Sequence, residues 1–333
     1  MNRRIATITA AAAVCLSLSG CGLGKAIAGV HEPPAPVTDI ASVTPAQARG
    51  IVDRVFTAAG QSRTGAGDVK AARAVAYSGN ALTAAVADAR LAQVAPQVGG
   101  NSPAIAPEQP RILALPRGEG FPRVIVVQTV PDKGGLPVLH LVTSPDARTQ
   151  YRIAESATML PGSTVRSFTS LASGSRLVTD GKGLAIAPQS LLADYAKGLS
   201  FPAAKVANPP YTDDRFATQV RAGAAKQASD VSKYASFTQT HAVQPGSVYA
   251  IAQNGGGALV FGVLERTDTF TIKKAGSSLT APKQFTTLVP GRTKLTKKAT
   301  MRTLEMVVFA VPKGSGQATL VGATEHLVSA SGS

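Results

Sequence analysis

The sequence predicts an α+β chain of two tandem domains, each with N-terminal helices packed on a curved antiparallel sheet. Three observations carry this expectation. Apolar residues fall at helical spacing after Pro45, the period switches to β-branched runs after Arg123, and the same order of helices before strands returns after Ala187.

The elements follow in order. Thr44-Pro45 fits an N-cap followed by Pro at the first helical position, and Ala48, Ile51, Val52, Val55 and Phe56 then share one face. A Gly-rich gap, Gly60–Gly67, precedes a second helical stretch, Asn80–Gln93, rich in strong helix formers. Arg123–Val130, Pro137–Thr143 and Tyr151–Leu160 read as a meander; Pro131-Asp132-Lys133-Gly134-Gly135 turns the first pair and Pro161-Gly162 stops the third. Ala187-Pro188-Gln189 opens a helix through Leu191, Leu192, Tyr195 and Leu199, and Tyr211-Thr212-Asp213-Asp214 caps another through Phe216 and Val220. Strands are expected at 247–253, 258–265, 266–273, 300–311 and 318–329, with Asn254-Gly255 as a hairpin turn.

Two local echoes support a duplication. Thr44-Pro45-Ala46-Gln47 resembles Ala187-Pro188-Gln189, and Tyr77-Ser78-Gly79-Asn80 with Leu82 and Val86 lines up with Tyr211-Thr212-Asp213-Asp214 with Phe216 and Val220. The expected domains are 42–165 and 185–330, joined by a linker at 166–184 inside the Ser-, Thr- and Gly-rich stretch Ser163–Leu184.

The composition sets the bounds. The chain has 333 residues, a formal charge of +15 and 44% apolar residues, enough to offset the ordering entropy that keeps polar chains unfolded. Aromatics are only 5% and Trp is absent, so small aliphatic side chains must build the core. Two Cys cannot make a disulfide framework.

The first twenty residues read as an address. Met1-Asn2-Arg3-Arg4 precedes an uncharged run, Ile5–Leu18, too short for the roughly 20 residues of a bilayer-spanning helix. Leu18-Ser19-Gly20-Cys21 then resembles the lipobox of bacterial lipoproteins, in which the Cys is diacylated with palmitate-type chains before cleavage. That resemblance implies a signal peptide at 1–20, export by general secretion, and a lipidated Cys21 holding the protein on the extracytoplasmic face of the cell membrane. Removal of Arg3 and Arg4 would leave +13, and Cys15 would leave with the signal. Two acyl chains hold stably where one binds only marginally. Residues 21–41, with His31-Glu32-Pro33-Pro34-Ala35-Pro36, read as a semi-extended tether.

Helices followed by a curved antiparallel sheet resemble the plan of the superfamily of nuclear transport factor two and ketosteroid isomerase, the cystatin-like fold. Leu160-Pro161-Gly162, Val248-Tyr249-Ala250 and Gly256-Gly257-Ala258-Leu259-Val260-Phe261, with the lipobox and spacer, are similar to uncharacterised actinobacterial lipoproteins of the cell envelope. This resemblance implies no activity.

No catalytic residue is assigned. His31, His140, His241 and His326 stand apart, without ligand spacing or a His-Glu-x-x-His motif, so neither a metal nor a cofactor is expected. His140 reads first as a half-buried strand histidine and second as an acid/base residue lining a cone; Glu325-His326 is read the same way. Gly-x-Ser-x-Gly and Ser-x-x-Lys are both missing. Asn254-Gly255-Gly256-Gly257 leads into a strand rather than a helix, so a turn is favoured over a phosphate loop. Asp53, Tyr77, Tyr211 and Asp213 lie near cone-leading helices, where an isomerase would place its carboxylate and phenols. They form no set that matches one.

Charge is the remaining signal. Residues 266–313 hold ten basic and two acidic side chains. Lys273, Lys274, Lys294, Lys297, Lys298 and Arg302 are the candidate binding residues for an anionic surface, either phospholipid headgroups or a phosphate-bearing wall polymer. No aromatic residues interleave with them for base stacking, so nucleic acid is not an expected partner. A non-catalytic binding or scaffold role is therefore preferred over a small-molecule carrier or an isomerase- or hydrolase-like enzyme using a cone-shaped pocket.

Overall fold

A computed structural model describes residues 40–333 except 66, 93, 95–109, 132–134 and 205. The expected signal segment, Cys21, His31 and the expected tether up to residue 39 lie outside the described residues.

Thr44 caps the first helix, α1 (Pro45–Thr64), through a reciprocal pair: its Oγ1 accepts from Gln47 N at 3.2 Å while Gln47 Oε1 accepts from Thr44 N at 2.8 Å. The helix runs through the expected gap, because Gly60 faces open space, and stops at Gly65, whose φ of 76° ends the helical ladder. Two shorter helices follow, α2 (Val69–Ala76) and α3 (Gly79–Leu91). The expected meander is present as β2 (Arg123–Thr129), β3 (Val138–Ser144) and β4 (Arg152–Thr158). A short strand the sequence did not signal, β1 (Arg111–Ala114), extends it to the antiparallel order β1-β2-β3-β4.

The second half repeats the order. Pro188 opens α4 (Pro188–Leu199), and Asp214 caps α5 (Arg215–Val231) by accepting from Ala217 N at 2.7 Å. Then come β5 (Ala235–Val243), β6 (Tyr249–Ala252), β7 (Ala258–Ile272), a two-residue pair β8 (Leu279–Thr280) and β9 (Lys294–Leu295) around α6 (Lys283–Leu288), β10 (Lys298–Val311) and β11 (Thr319–Gly332). The larger sheet runs β11-β10-β7-β5, with β6 beside the first part of β7. The two strands expected at 258–265 and 266–273 are one strand of 15 residues. Asn254-Gly255 does turn the β6–β7 hairpin, with positive φ at Gly255, Gly256 and Gly257; a side chain on Gly257 would strike Val311 O.

The sheets pack on one another. Val124, Val126, Leu139, Leu141 and Ala157 of the first meet Ile251, Leu259, Phe261, Val308 and Val321 of the second. Helix α1 covers the first sheet through Val52, Val55 and Phe56 against Ile125, Val127 and Ile153. Helices α4 and α5 cover the second through Leu191, Leu192, Tyr195 and Phe216 against Val260, Val307 and Phe309. The architecture is thus α+β, with residues Thr38–Ser333 in one compact unit. The stretch 166–184 is tied to both halves by backbone hydrogen bonds. Ser175 N donates to Leu115 O at 2.7 Å, and Val178 N to Ala250 O at 2.8 Å. Leu177, Leu171 and Val178 give this Ser- and Gly-rich segment its apolar footing.

Candidate functional site

Strand pairing gathers the lysines. Lys273 and Lys274 follow the end of β7; Lys298 opens β10 opposite Thr271, and Lys294 lies in the β8–β9 pair. Backbone bonds hold these strand ends in a row: Lys273 N donates to Tyr234 O at 2.9 Å, Ile272 N to Lys297 O at 2.8 Å and Thr296 N to Ser333 O at 2.9 Å. Beneath them Phe237, Phe270, Phe285 and Leu295 form a small buried plug. Lys273, Lys274, Lys294, Lys297 and Lys298 are all exposed, as are the neighbouring Lys283 and Arg292. The acids that approach this end are engaged elsewhere: Asp230 pairs with Lys226 at 2.7 Å, and Asp268 turns inward to Arg266.

Arg302 differs from the lysines in having an ion-pair partner. Its Nε donates to Glu265 Oε1 at 2.8 Å and its Nη2 to Glu265 Oε2, a bond that holds the guanidinium above its ordinary range. Arg302 stands across from Thr267, two residues from Glu265 along β7, so this exposed guanidinium is paired where the five lysines are not.

Further along the same strands lies a buried band of charge that was not foreseen. Arg266 Nη1 donates to Glu305 Oε1 at 3.1 Å and to Glu325 Oε1, while its Nε lies 3.3 Å from Asp268 Oδ2. His241 Nε2 lies 3.2 Å from Glu305 Oε1, and both side chains are wholly buried. Burial works against the Arg266 charge, but the three carboxylates outweigh it and hold the guanidinium high. Burial likewise pushes the Asp268 carboxyl up, against the pull of Arg266. His241 Nδ1, Asp268 Oδ1 and Glu305 Oε2 have no hydrogen-bond partner. The only sequence signal was charge recurring at every second residue, Glu305 standing across from Leu264 and Arg266 across from Thr303, and pairing is needed to see that these meet.

The other candidates are structural. His140 is fully rather than half buried: its ring nitrogens lie 2.8 Å from Thr129 Oγ1 and 2.8 Å from Ser156 Oγ, and Phe56 packs edge-on at 5.0 Å. Burial, aided by the charge of Arg63, pushes it down to about 3, so it stays neutral. His326 Nδ1 lies 2.9 Å from Asp88 Oδ2 and ties β11 to α3. Tyr77 and Tyr211 hold matching posts: each is buried, precedes a helix and makes a parallel bridge to its own half, Tyr77 to Ile153 and Tyr211 to Ala318. Asp213 is exposed, and Asp53 lines an open groove between α1 and α2 away from the sheets.

A cleft of about 580 Å³ does open beside the edge strand β1, between Arg111, Ile112 and Gln128 on one side and Ser163, Arg166 and Phe168 on the other. Its lining is mixed rather than apolar, and it lies outside the helix-covered faces. Among the described residues no group of His, Cys, Asp and Glu could hold a metal, and no helix is long and apolar enough to cross a membrane.

Comparison with curated proteins and with solved structures gave no match. A family model does match over residues 41–332, nearly the whole described fold, and the chain therefore belongs to the family described as "Domain of unknown function (DUF8094)".

Proposed function

We propose that this chain is a lipid-anchored, non-catalytic binding protein of the cell envelope, held on the extracytoplasmic face of the membrane through Cys21, whose lysine-bearing strand ends grip a phosphate-bearing anionic surface. One observation carries the reading: five exposed lysines, four at one end of the large sheet (273, 274, 297 and 298) and Lys294 in the small β8–β9 pair, have no ion-pair partner among the described residues. The lipobox motif supports the anchor, and helices laid over antiparallel sheets support the resemblance to the nuclear transport factor two superfamily.

Each Lys near an anionic membrane contributes about 1 kcal/mol, so replacing Lys294, Lys297 and Lys298 by Gln removes about 3 kcal/mol, roughly a hundredfold in affinity. The test is cosedimentation of residues 38–333, which contain every buried cluster described above, with vesicles of phosphatidylglycerol and phosphatidylcholine. Binding should fall with added salt as screening shortens the reach of the charges. Undiminished binding by the triple variant would remove the lysines from the argument. Mass spectrometry of the native protein should find diacylated Cys21 at the N-terminus; an unmodified terminus would remove the anchor.

A further inference from the structure

We infer that the lysine-bearing end docks on the anionic bilayer itself, with Tyr234 set into the headgroup layer as the apolar contact among the cations. This rests on the proposed anionic-surface reading and narrows it to a lipid partner.

Tyr234 is one of few large apolar side chains left in the open, at 42% exposure. It sits in the turn between α5 and β5, in the same row of strand ends as the lysines. Its backbone is fixed from both sides: Tyr234 N donates to Val231 O at 2.9 Å, and Tyr234 O accepts from Lys273 N at 2.9 Å. Lys273 Nζ donates to Ser232 O at 2.6 Å, and Lys233 Nζ stands 5.3 Å from the Tyr234 ring centroid. The turn's backbone is thus pinned to β7, with Lys233 over the ring and Lys273 bonded to the same turn. Core packing does not explain it, since the plug below is complete with Phe237, Phe270 and Phe285.

A phenol with an apolar body and a polar tip suits the boundary between headgroups and acyl chains, where Tyr is enriched. Lysines around it supply long-range attraction to anionic lipid, which falls off within a Debye length, while the ring supplies a contact that survives salt. A soluble phosphate polymer would use the lysines and leave the ring in water.

The chain contains no Trp, so Tyr234→Trp places a single indole at this point. The probe is fluorescence of that variant of residues 38–333 against phosphatidylglycerol vesicles, vesicles of phosphatidylcholine alone, and soluble polyphosphate. We expect emission to move to shorter wavelength, with quenching by lipids brominated near the headgroup, in phosphatidylglycerol only. In parallel, Tyr234→Ala in the otherwise native chain should weaken binding to these vesicles about threefold to tenfold, with a larger relative loss at high salt. Binding to the vesicles with no spectral shift, or a shift with polyphosphate equal to that with vesicles, overturns the inference and leaves the lysine surface standing. Absence of binding to any of the three overturns both. Tyr234 is exposed and belongs to none of the buried clusters, and the far-ultraviolet circular dichroism and urea midpoint of both variants, matched to the native chain, exclude a folding defect as the cause.

Discussion

Glu155 stands where a strand of this kind should carry an aliphatic residue. In β4 the buried positions alternate as Ile153, Glu155 and Ala157, and Glu155 faces Leu141 across the ladder at 2% exposure. Its Oε2 has no partner, and burial alone raises the carboxyl well above its ordinary 4.5. The sign follows from proton counting. Between 4.5 and the folded value the native state holds one proton more than the unfolded chain, so this group's contribution falls as pH rises. One proton is worth about 1.4 kcal/mol per pH unit. Glu155→Gln keeps the shape and removes the titration. The variant's stability relative to the native chain should therefore climb by about 1.4 kcal/mol per unit from pH 5 upward, and level off where the native carboxyl ionises. Urea denaturation of both chains at half-unit intervals measures this directly, with slopes compared so that changes in exposed surface are recognised. Parallel stability curves from pH 5 to 8 would refute the claim that this carboxyl is held protonated between the sheets.

Two further substitutions test the packing and the charge assignment. A side chain on Gly262 would place its Cβ 2.3 Å from Leu192 Cδ1, so Gly262→Ala should cost about 1–3 kcal/mol, seen as a lowered thermal midpoint, and Leu192→Ala in the same chain should relieve part of the strain; an unchanged midpoint would show that α4 shifts freely over the sheet. Arg302 is already bonded to Glu265, so Arg302→Gln should leave vesicle affinity within about twofold while Lys298→Gln lowers it about fivefold; equal losses would return Arg302 to the binding surface.

Local signals in the sequence were strong where a cap or a β-branched run marked an element. Thr44-Pro45 and Asp214 open their helices as expected, and Val124–Val127 could hardly be anything but a strand. The strand β5 escaped because its inward positions are Ala235, Phe237 and Gln239, with Ser236, Thr238 and Thr240 between them, so hydrophobic alternation is faint. The break expected inside β7 reflects the same difficulty. The boundary expected between the strands 258–265 and 266–273 falls in the polar run Glu265-Arg266-Thr267-Asp268, whose charges are answered by Glu305, Glu325 and Arg302 on neighbouring strands. Exposure of the individual lysines was legible; which arginines they would lose as companions was not, since neutralisation depends on cross-strand register. Tyr234 carries no local mark at all. Its place beside the lysines depends on the bond between its carbonyl and Lys273 N at the end of β7.

The long strands β7 and β10 show how one sheet divides several structural tasks along its length. Their first part, around Leu259, Phe261 and Val308, joins the two sheets; their middle holds the ion band; Phe270 and Ala299 close the core; and Lys273 and Lys298 reach water. The basic excess of residues 266–313 is thereby divided: Arg266 is neutralised in the buried band, Arg302 is paired with Glu265 at the surface, and the lysines at the strand ends are left without ion-pair partners among the described residues.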